Sequence, residues 1–80
     1  MSKYDGLTAW LNGRTTNREV LTLREIEEII GCSLPPSARA YRPWWGNESG
    51  TGSRQCKAWL GAGWYVEEAN LTQETVTLER

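Results

Sequence analysis

The sequence has 80 residues, the length of one domain with a small core. Ten acids against nine bases leave a net charge of −1, and five Trp and three Tyr with no Phe give a heavy aromatic load. The near balance of charge excludes a strongly basic or strongly acidic protein. We therefore predict a single domain over residues 1–80, in which aromatic side chains supply much of the buried area.

The charges are distributed unevenly along the chain. Residues 33–64 carry four bases and one acid, whereas residues 65–80 carry one base and four acids. A basic middle segment beside an acidic C-terminal segment is the asymmetry expected of a surface that faces an anion.

The composition argues against a metal centre or a membrane protein. The chain has two cysteines, Cys32 and Cys56, without a CxxC spacing, and it has no His. A structural zinc or iron–sulfur site needs more ligands than these, so we expect no metal and no cofactor. No run approaches the roughly 20 apolar residues of a membrane span. We expect a cytoplasmic protein in which both thiols are reduced and packed as small apolar groups.

The first third of the chain predicts a helix, a strand and a second helix. Asp5 is placed to cap a short helix that ends at Gly13 in the left-handed conformation. A short strand follows at Glu19-Val20-Leu21, as an edge partner for a later hairpin. The apolar residues expected on the buried face of the first helix are Leu7, Trp10 and Leu11.

The clearest local signal is the capping box Thr22-Leu23-Arg24-Glu25. It predicts a helix over residues 22–31 that ends at Gly31. The expected buried stripe of this helix is Leu23, Ile26, Ile29 and Ile30.

The middle segment begins with Leu34-Pro35-Pro36-Ser37, in which Pro tolerates the first helical turn and Ser37 is an alternative N-cap. We predict a short helix through about Arg42, limited by Pro43, with Ala38 and Tyr41 three apart on one side and Tyr41 in the core. If Trp44-Trp45-Gly46-Asn47 is extended, its two indoles face opposite ways, one towards the core and one towards solvent. Which of the two Trp is exposed stays open.

A further helix is predicted over Ser53 to Leu60, ending at Gly61 or Gly63, with Cys56, Trp59 and Leu60 as its apolar stripe. The remaining residues alternate as a β-hairpin with its turn at Asn70 to Gln73. The predicted class is α+β: a small winged helix-turn-helix-like domain with three to four short helices and a C-terminal β-hairpin.

In a winged helix-turn-helix the helix before the hairpin enters the major groove of DNA. Here that helix is 53–60, and its exposed side chains are types that bind base edges or phosphates. We expect Arg39 and Arg42, three apart on a short helix, to contact phosphate. The candidate nucleic-acid-binding residues are Arg39, Arg42, Trp44, Asn47, Ser53, Arg54, Gln55 and Lys57.

The four basic candidates also have a purely structural interpretation. Arg39 and Arg42 can pair with Glu27 or Glu28, and Arg54 and Lys57 can be a solvated helix face. The hairpin carries Glu67, Glu68, Glu74 and Glu79, and acids beside phosphate reduce affinity. If DNA binds, the hairpin must turn away from it.

No catalytic constellation is present, because the chain has no His and no nucleophile beside a base. We therefore predict a non-enzymatic protein whose partner is double-stranded DNA. The alternative partner is a protein: the chain would then be an interaction module, adaptor or small inhibitor with an exposed Trp44/Trp45 surface as its hot spot. The oligomeric state stays open.

The sequence resembles a family of small, largely uncharacterised prokaryotic domains, which share the pattern LPPSARxYRxWWxN followed by AWLxAGW. The resemblance is carried by the runs LPPSARAYRPWWGN, SRQCKAWLGAGW and TVTLER. The matching positions are Ser37, Arg39, Tyr41, Arg42, Trp44, Trp45, Asn47, Ala58, Trp59 and Leu60. The resemblance implies a stand-alone protein or a module attached to nuclease-like, defence or mobile-element proteins, which favours nucleic-acid binding by association. The glycine-rich loop Glu48 to Gly52 departs from the charged connection expected there.

Overall fold

The computed structural model describes residues 3–47 and 55–80. These residues form four α-helices, one 3-10 helix and three strands. The predicted α+β class with a C-terminal hairpin is confirmed. The helices are α1 Asp5–Asn12, α2 Leu23–Ile30, α3 Pro36–Ala40, the 3-10 helix Arg42–Trp45 and α4 Lys57–Leu60. The strands are β1 Arg18–Thr22, β2 Tyr65–Asn70 and β3 Thr75–Glu79.

The strands form one antiparallel sheet in the order β1-β3-β2, so that the last strand lies in the middle. The predicted strand at residues 19–21 is confirmed as an edge partner of the hairpin. In β2 the register shifts between Val66 and Glu68, which leaves Glu67 as the extra residue of a β-bulge.

One face of the sheet packs against the helices and forms the core. Leu21, Val66, Val76 and Leu78 point to this face from the three strands and are almost fully buried. The largest side chains that are buried with them from the rest of the chain are Trp45, Trp59, Trp64, Leu7, Leu11, Leu23 and Ile26. The heavy aromatic load therefore supplies core volume, as the composition indicates.

Helix α1 begins at Asp5, but Asp5 is not its cap. Tyr4 occupies the N-cap position and gives no side-chain capping bond, and Gly13 has φ −85°, so the predicted left-handed end is wrong. Leu7 and Leu11 are buried, whereas Trp10 is half-buried beneath the guanidinium of Arg14, 4.7 Å from the ring centroid. Helix α1 is held by its packing on α2 and α4 rather than by caps.

Helix α2 confirms the capping box. The Thr22 hydroxyl accepts a hydrogen bond from the backbone N–H of Glu25 at 3.0 Å, and the Glu25 carboxylate accepts one from the N–H of Thr22 at 2.8 Å. Gly31 ends the helix with φ 78°, a conformation that a side chain would strain. Leu23 and Ile26 are buried, and Ile29 and Ile30 pack at the edge of the core.

The helix after the two prolines is shorter than predicted. Helix α3 ends at Ala40, because Tyr41 is extended with φ −129° and ψ 99°, and residues 42–45 continue as a 3-10 helix. Pro35 rather than Ser37 is at the N-cap. The Trp pair is therefore not on an extended segment.

The helix predicted over residues 53–60 is described only as the single turn Lys57–Leu60. Its expected N-cap Ser53 and the next residue, Arg54, lie outside the described residues. Ala58, predicted to lie off the apolar stripe, is buried beside Trp59. Gly61 still has helical angles, and Gly63, with φ 82°, turns the chain into β2.

Three further burial predictions need correction. Tyr41, expected in the core, is 60% exposed because the break after α3 turns it outwards. Leu60 is only half-buried at the end of α4. Cys56 is fully buried as predicted, but Cys32 is exposed in the turn after Gly31 and is not a packed apolar group.

Candidate nucleic-acid interface

The Trp44-Trp45 pair lies at the junction of the helical layer and the core. Trp45 is 3% exposed, and its Nε1–H donates to the carbonyl of Ala38 at 2.8 Å. Its ring stacks on Trp59 with centroids 5.7 Å apart. Trp44 is half-buried and meets the ring of Tyr4 edge-on at 5.9 Å. Trp45 is therefore core, and Trp44 offers only part of its indole to a ligand.

Asn47 uses its amide inside the molecule. Its Oδ1 accepts from the Nε1–H of Trp59 at 3.0 Å and from the backbone N–H of Val66 at 2.8 Å. Its Nδ2 donates to the carbonyl of Val66 at 2.9 Å. The side chain thereby occupies both backbone groups of Val66 on the outer edge of β2. A base that bound the Asn47 amide would compete with these three bonds.

Gln55 joins the segment before α4 to the 3-10 helix. Its Nε2 donates to the carbonyl of Trp44 at 3.0 Å, so the predicted base-reading amide is already engaged. Lys57 is exposed at the first position of α4. The bond from Gln55 therefore fixes the start of α4 beside the segment that carries Arg42.

Arg39 lies between two carboxylates. Its guanidinium nitrogens are 2.9 Å from Glu27 Oε1 and 2.6 Å from Glu74 Oε1. Pairing with Glu27 was one of the two alternatives for this residue, and Glu74 adds a second partner from the hairpin turn. The hydrogen bond that Arg39 donates to Glu27 raises the pKa of Arg39 further. With its charge compensated from both sides, Arg39 ties α3 to α2 and to the hairpin.

Glu27 is held in its charged form by two neighbours. The backbone N–H of Leu34 donates to Oε2 at 2.8 Å and is the main cause of a lowered pKa of Glu27, with the hydrogen bond from Arg39 second. A carboxyl whose pKa is lower in the folded chain stabilises the fold above its ordinary value of 4.5, and this contribution disappears as the pH falls through the folded pKa.

Glu27→Gln should therefore lower the free energy of unfolding at pH 7 and lose this effect progressively below about pH 4.5, where wild-type Glu27 also becomes neutral. Urea unfolding of both chains as a function of pH measures the difference. The control is Glu28→Gln, at the exposed neighbour for which the described residues provide no ion pair. A difference between Glu27→Gln and wild type that stays constant from pH 7 to pH 3 would contradict the charged pairing.

Arg42 remains as a phosphate candidate. It is exposed, and within residues 3–47 and 55–80 it takes part in no ion pair. It lines an open cleft of about 370 Å³ between the 3-10 helix and β2. Glu67 and Glu68 line the same cleft from the bulge of β2. The cleft therefore brings one cation and two acids together.

The other hairpin acids are engaged within the fold. Glu79 lies 3.4 Å from the guanidinium of Arg18 and accepts a hydrogen bond from the hydroxyl of Tyr65 at 3.0 Å, which raises the pKa of Tyr65. Glu74 pairs with Arg39. Among the acids at residues 3–47 and 55–80, Glu67 and Glu68 are the ones that line the cleft with Arg42.

The eight predicted contacts thus divide into three groups. Arg42 and Lys57 are exposed, and Trp44 is half-buried. Three more, Arg39, Asn47 and Gln55, have their polar groups bound within the molecule. Ser53 and Arg54, with the glycine-rich loop before them, lie outside the described residues. Sequence reasoning missed Tyr41 as an exposed ring, because its helical spacing with Ala38 indicated a buried face.

The described residues contain no group of three His, Cys, Asp or Glu side chains that could hold a metal ion. Among the helices at residues 3–47 and 55–80, none has the length and apolar character needed to cross a membrane.

Comparison with known proteins gives a family but no activity. No curated protein and no solved structure matches the chain. A family model with the description "Domain of unknown function (DUF7662)" matches residues 4–80, which confirms the resemblance to a small uncharacterised domain family. Because the match spans all but the first three residues, the chain belongs to the DUF7662 family.

Proposed function

We propose that this chain is a non-enzymatic, winged-helix-like domain that binds double-stranded DNA, with the start of α4 and Arg42 at the phosphate backbone. The order helix, strand, helices and hairpin, together with the sheet order β1-β3-β2, supports the winged-helix part of the proposal. A role in prokaryotic defence or mobile-element regulation belongs to the same proposal and rests on the resemblance alone.

The observation that carries the proposal is the pair of exposed cations beside the Gln55–Trp44 bond. Arg42 and Lys57 lie on the two segments that this bond joins, and neither forms an ion pair among the described residues. Arg54, from the predicted first turn of the helix, would add a third charge. Cations that are not compensated within the fold are the ones that release counterions from DNA when they bind it.

The internal bonds of Arg39, Asn47 and Gln55 give these residues a supporting role. They hold the 3-10 helix, α3 and the start of α4 in place, so that the cations are presented by a rigid surface. Rigid presentation reduces the ordering cost of binding. In this proposal the contacts are largely to phosphate, and little sequence specificity is expected from the described residues.

The test is a fluorescence anisotropy titration of a duplex oligonucleotide at several salt concentrations. Arg42→Ala and Lys57→Ala should each weaken binding and reduce the log–log salt slope by about 1, since each removes one phosphate contact. Arg24→Ala is the matched control, because Arg24 is an exposed cation on α2, outside the candidate interface, and should leave the slope unchanged. Absence of binding by the wild-type chain to any duplex at low salt would refute the proposal.

A protein partner is the second candidate, and the cleft at β2 is the observation that favours it. The indoles do not form the exposed hot spot expected from the sequence, because Trp45 is buried and Trp44 half-buried. The acids Glu67 and Glu68 beside Arg42 instead suit a partner with basic side chains. Glu67→Lys distinguishes the two candidates: it should strengthen binding in the duplex titrations, whereas it should weaken association with a basic protein in sedimentation or pull-down measurements.

A further inference from the structure

The two edges of the sheet differ in how they are protected. On the outer edge of β2, the Asn47 side chain occupies the backbone N–H and C=O of Val66, and the bulge at Glu67 interrupts the strand. Strand β1 forms the opposite edge, and within residues 3–47 and 55–80 it pairs in the sheet only with β3. Bulges and covering side chains are the usual means of preventing edge-to-edge pairing, and β1 has a regular register without a bulge.

The register determines which backbone groups of β1 point away from the sheet. The N–H of Arg80 donates to the carbonyl of Asn17 at 3.0 Å, so these two residues extend the ladder as a hydrogen-bonded pair. Bonded and non-bonded pairs alternate in an antiparallel ladder. Glu19 and Leu21 therefore bond to β3, whereas Val20 directs its N–H and C=O outwards.

Two independent contacts agree with this assignment. Thr22, two residues after Val20, should also point outwards, and its N–H donates to the carboxylate of Glu25 rather than to β3. By the same alternation across β3, the backbone N–H and C=O of Val66 point outwards from β2, where the Asn47 side chain binds them. Val20 is also the most exposed apolar residue of the sheet, at 56%.

We propose that this edge is an interface for a second copy of the chain, in which the two β1 strands pair antiparallel with Val20 opposite Val20. The sheets of the two copies would then continue into each other across a two-fold axis. The interface is isologous, since each copy contributes the same strand. This inference is independent of the proposed function.

The charges on β1 are compatible with a second copy in this register. Pairing centred on Val20 places Arg18 opposite Thr22 and Glu19 opposite Leu21, so that no like charges face each other. Pairing centred on Glu19 would oppose two carboxylates, which is destabilising. Pairing centred on Leu21 would oppose Val20 with Thr22 and leave only the two bonds from the Val20 N–H to the Thr22 carbonyl, because the Thr22 N–H is already bound by Glu25. Pairing centred on Val20 keeps the two Val20–Val20 bonds and the two bonds from the Arg18 N–H to the Thr22 carbonyl, so it forms more backbone bonds than the Leu21 register and opposes no like charges.

Sedimentation velocity over a wide range of protein concentration tests the association. The wild-type chain should show a dimer whose share rises with concentration, and Val20→Pro should remain monomeric. The proline removes an N–H that points out of the sheet, so the ladder to β3 keeps its bonds. A wild-type chain that is monomeric at every concentration would overturn the proposal.

Cross-linking tests the register without relying on the proline variant. In a Cys32→Ser background, Val20→Cys should form a disulfide-linked dimer under mild oxidation, because the Cα atoms of a hydrogen-bonded antiparallel pair are about 5.5 Å apart, within disulfide range. The matched control is Arg18→Cys: its sulfur atoms would be separated by four residues of strand and should not form a disulfide. Equal cross-linking of the two variants, or none of Val20→Cys, would overturn the proposal.

Discussion

Replacing Gly6 by alanine should lower the free energy of unfolding by about 1 to 3 kcal/mol, the range for overpacking in a close-packed interior. A Cβ on Gly6 would lie 2.7 Å from the carbonyl oxygen of Ile29 and 3.4 Å from the Cα of Ile30. Both atoms belong to the backbone of α2 and cannot move aside as a flexible side chain would. Helix α1 would have to shift, and its contacts with α2 and α4 would loosen. Urea unfolding followed by Trp fluorescence measures the change.

Gly13→Ala is the matched control for this prediction. It lies at the other end of the same helix, has φ −85°, and its Cβ would meet only ordinary contacts at 3.6 and 3.7 Å. Alanine restricts the unfolded chain more than glycine does. This variant should therefore be as stable as wild type, or more stable by about 0.4 to 1 kcal/mol. If Gly6→Ala and Gly13→Ala unfold at the same urea concentration, the close approach of α1 to α2 is refuted.

Asn47→Ala should destabilise the chain by about 2 kcal/mol, because it leaves a buried donor without an acceptor. The Nε1–H of Trp59 loses its partner on a ring that is 1% exposed. The N–H and C=O of Val66 lose theirs on the edge of β2. For a domain of this size the melting temperature should fall by roughly 8 to 16 °C. Thermal unfolding followed by circular dichroism measures it.

Two variants separate the bonds of Asn47 from a general effect of removing an amide. Asn12→Ala, at the exposed end of α1, should leave the melting temperature nearly unchanged. Asn47→Asp keeps the acceptor for Trp59 and for the N–H of Val66 but loses the donor to the Val66 carbonyl, so it should fall between wild type and Asn47→Ala. A melting temperature of Asn47→Ala equal to that of Asn12→Ala would show that the three bonds do not stabilise the fold.

Local signals in the sequence were sufficient for much of the fold. The capping box at Thr22 and Glu25 acts over three residues, so it can be recognised without any knowledge of the tertiary structure. The hairpin and the buried stripe of α2 have the same local origin. The sequence predicts too late an end for helix 36–40. The actual end depends on Tyr41, whose backbone leaves the helical region two residues before Pro43.

The candidate site was harder to predict because its side chains are engaged by distant partners. Arg39 pairs with Glu74, 35 residues later, and Asn47 binds Val66, 19 residues later. In the sequence both are simply polar residues in a basic segment. The motif PWWGN therefore looks like a binding surface, whereas the structure uses Trp45 and Asn47 to connect the helical layer to the sheet.

The place of β3 in the sheet has a consequence for folding during synthesis. Strands β1 and β2 do not pair with each other; both pair with β3, which is the last of the three to be made. A nascent chain can form α2 early from its local capping contacts, but it has no sheet until residues 75–79 have left the ribosome. Until then, the core-facing residues of β1 and β2, including Leu21 and Val66, lack β3 as their neighbour in the sheet. Closing the long loop from β1 to β3 is therefore expected to be the slow step of folding.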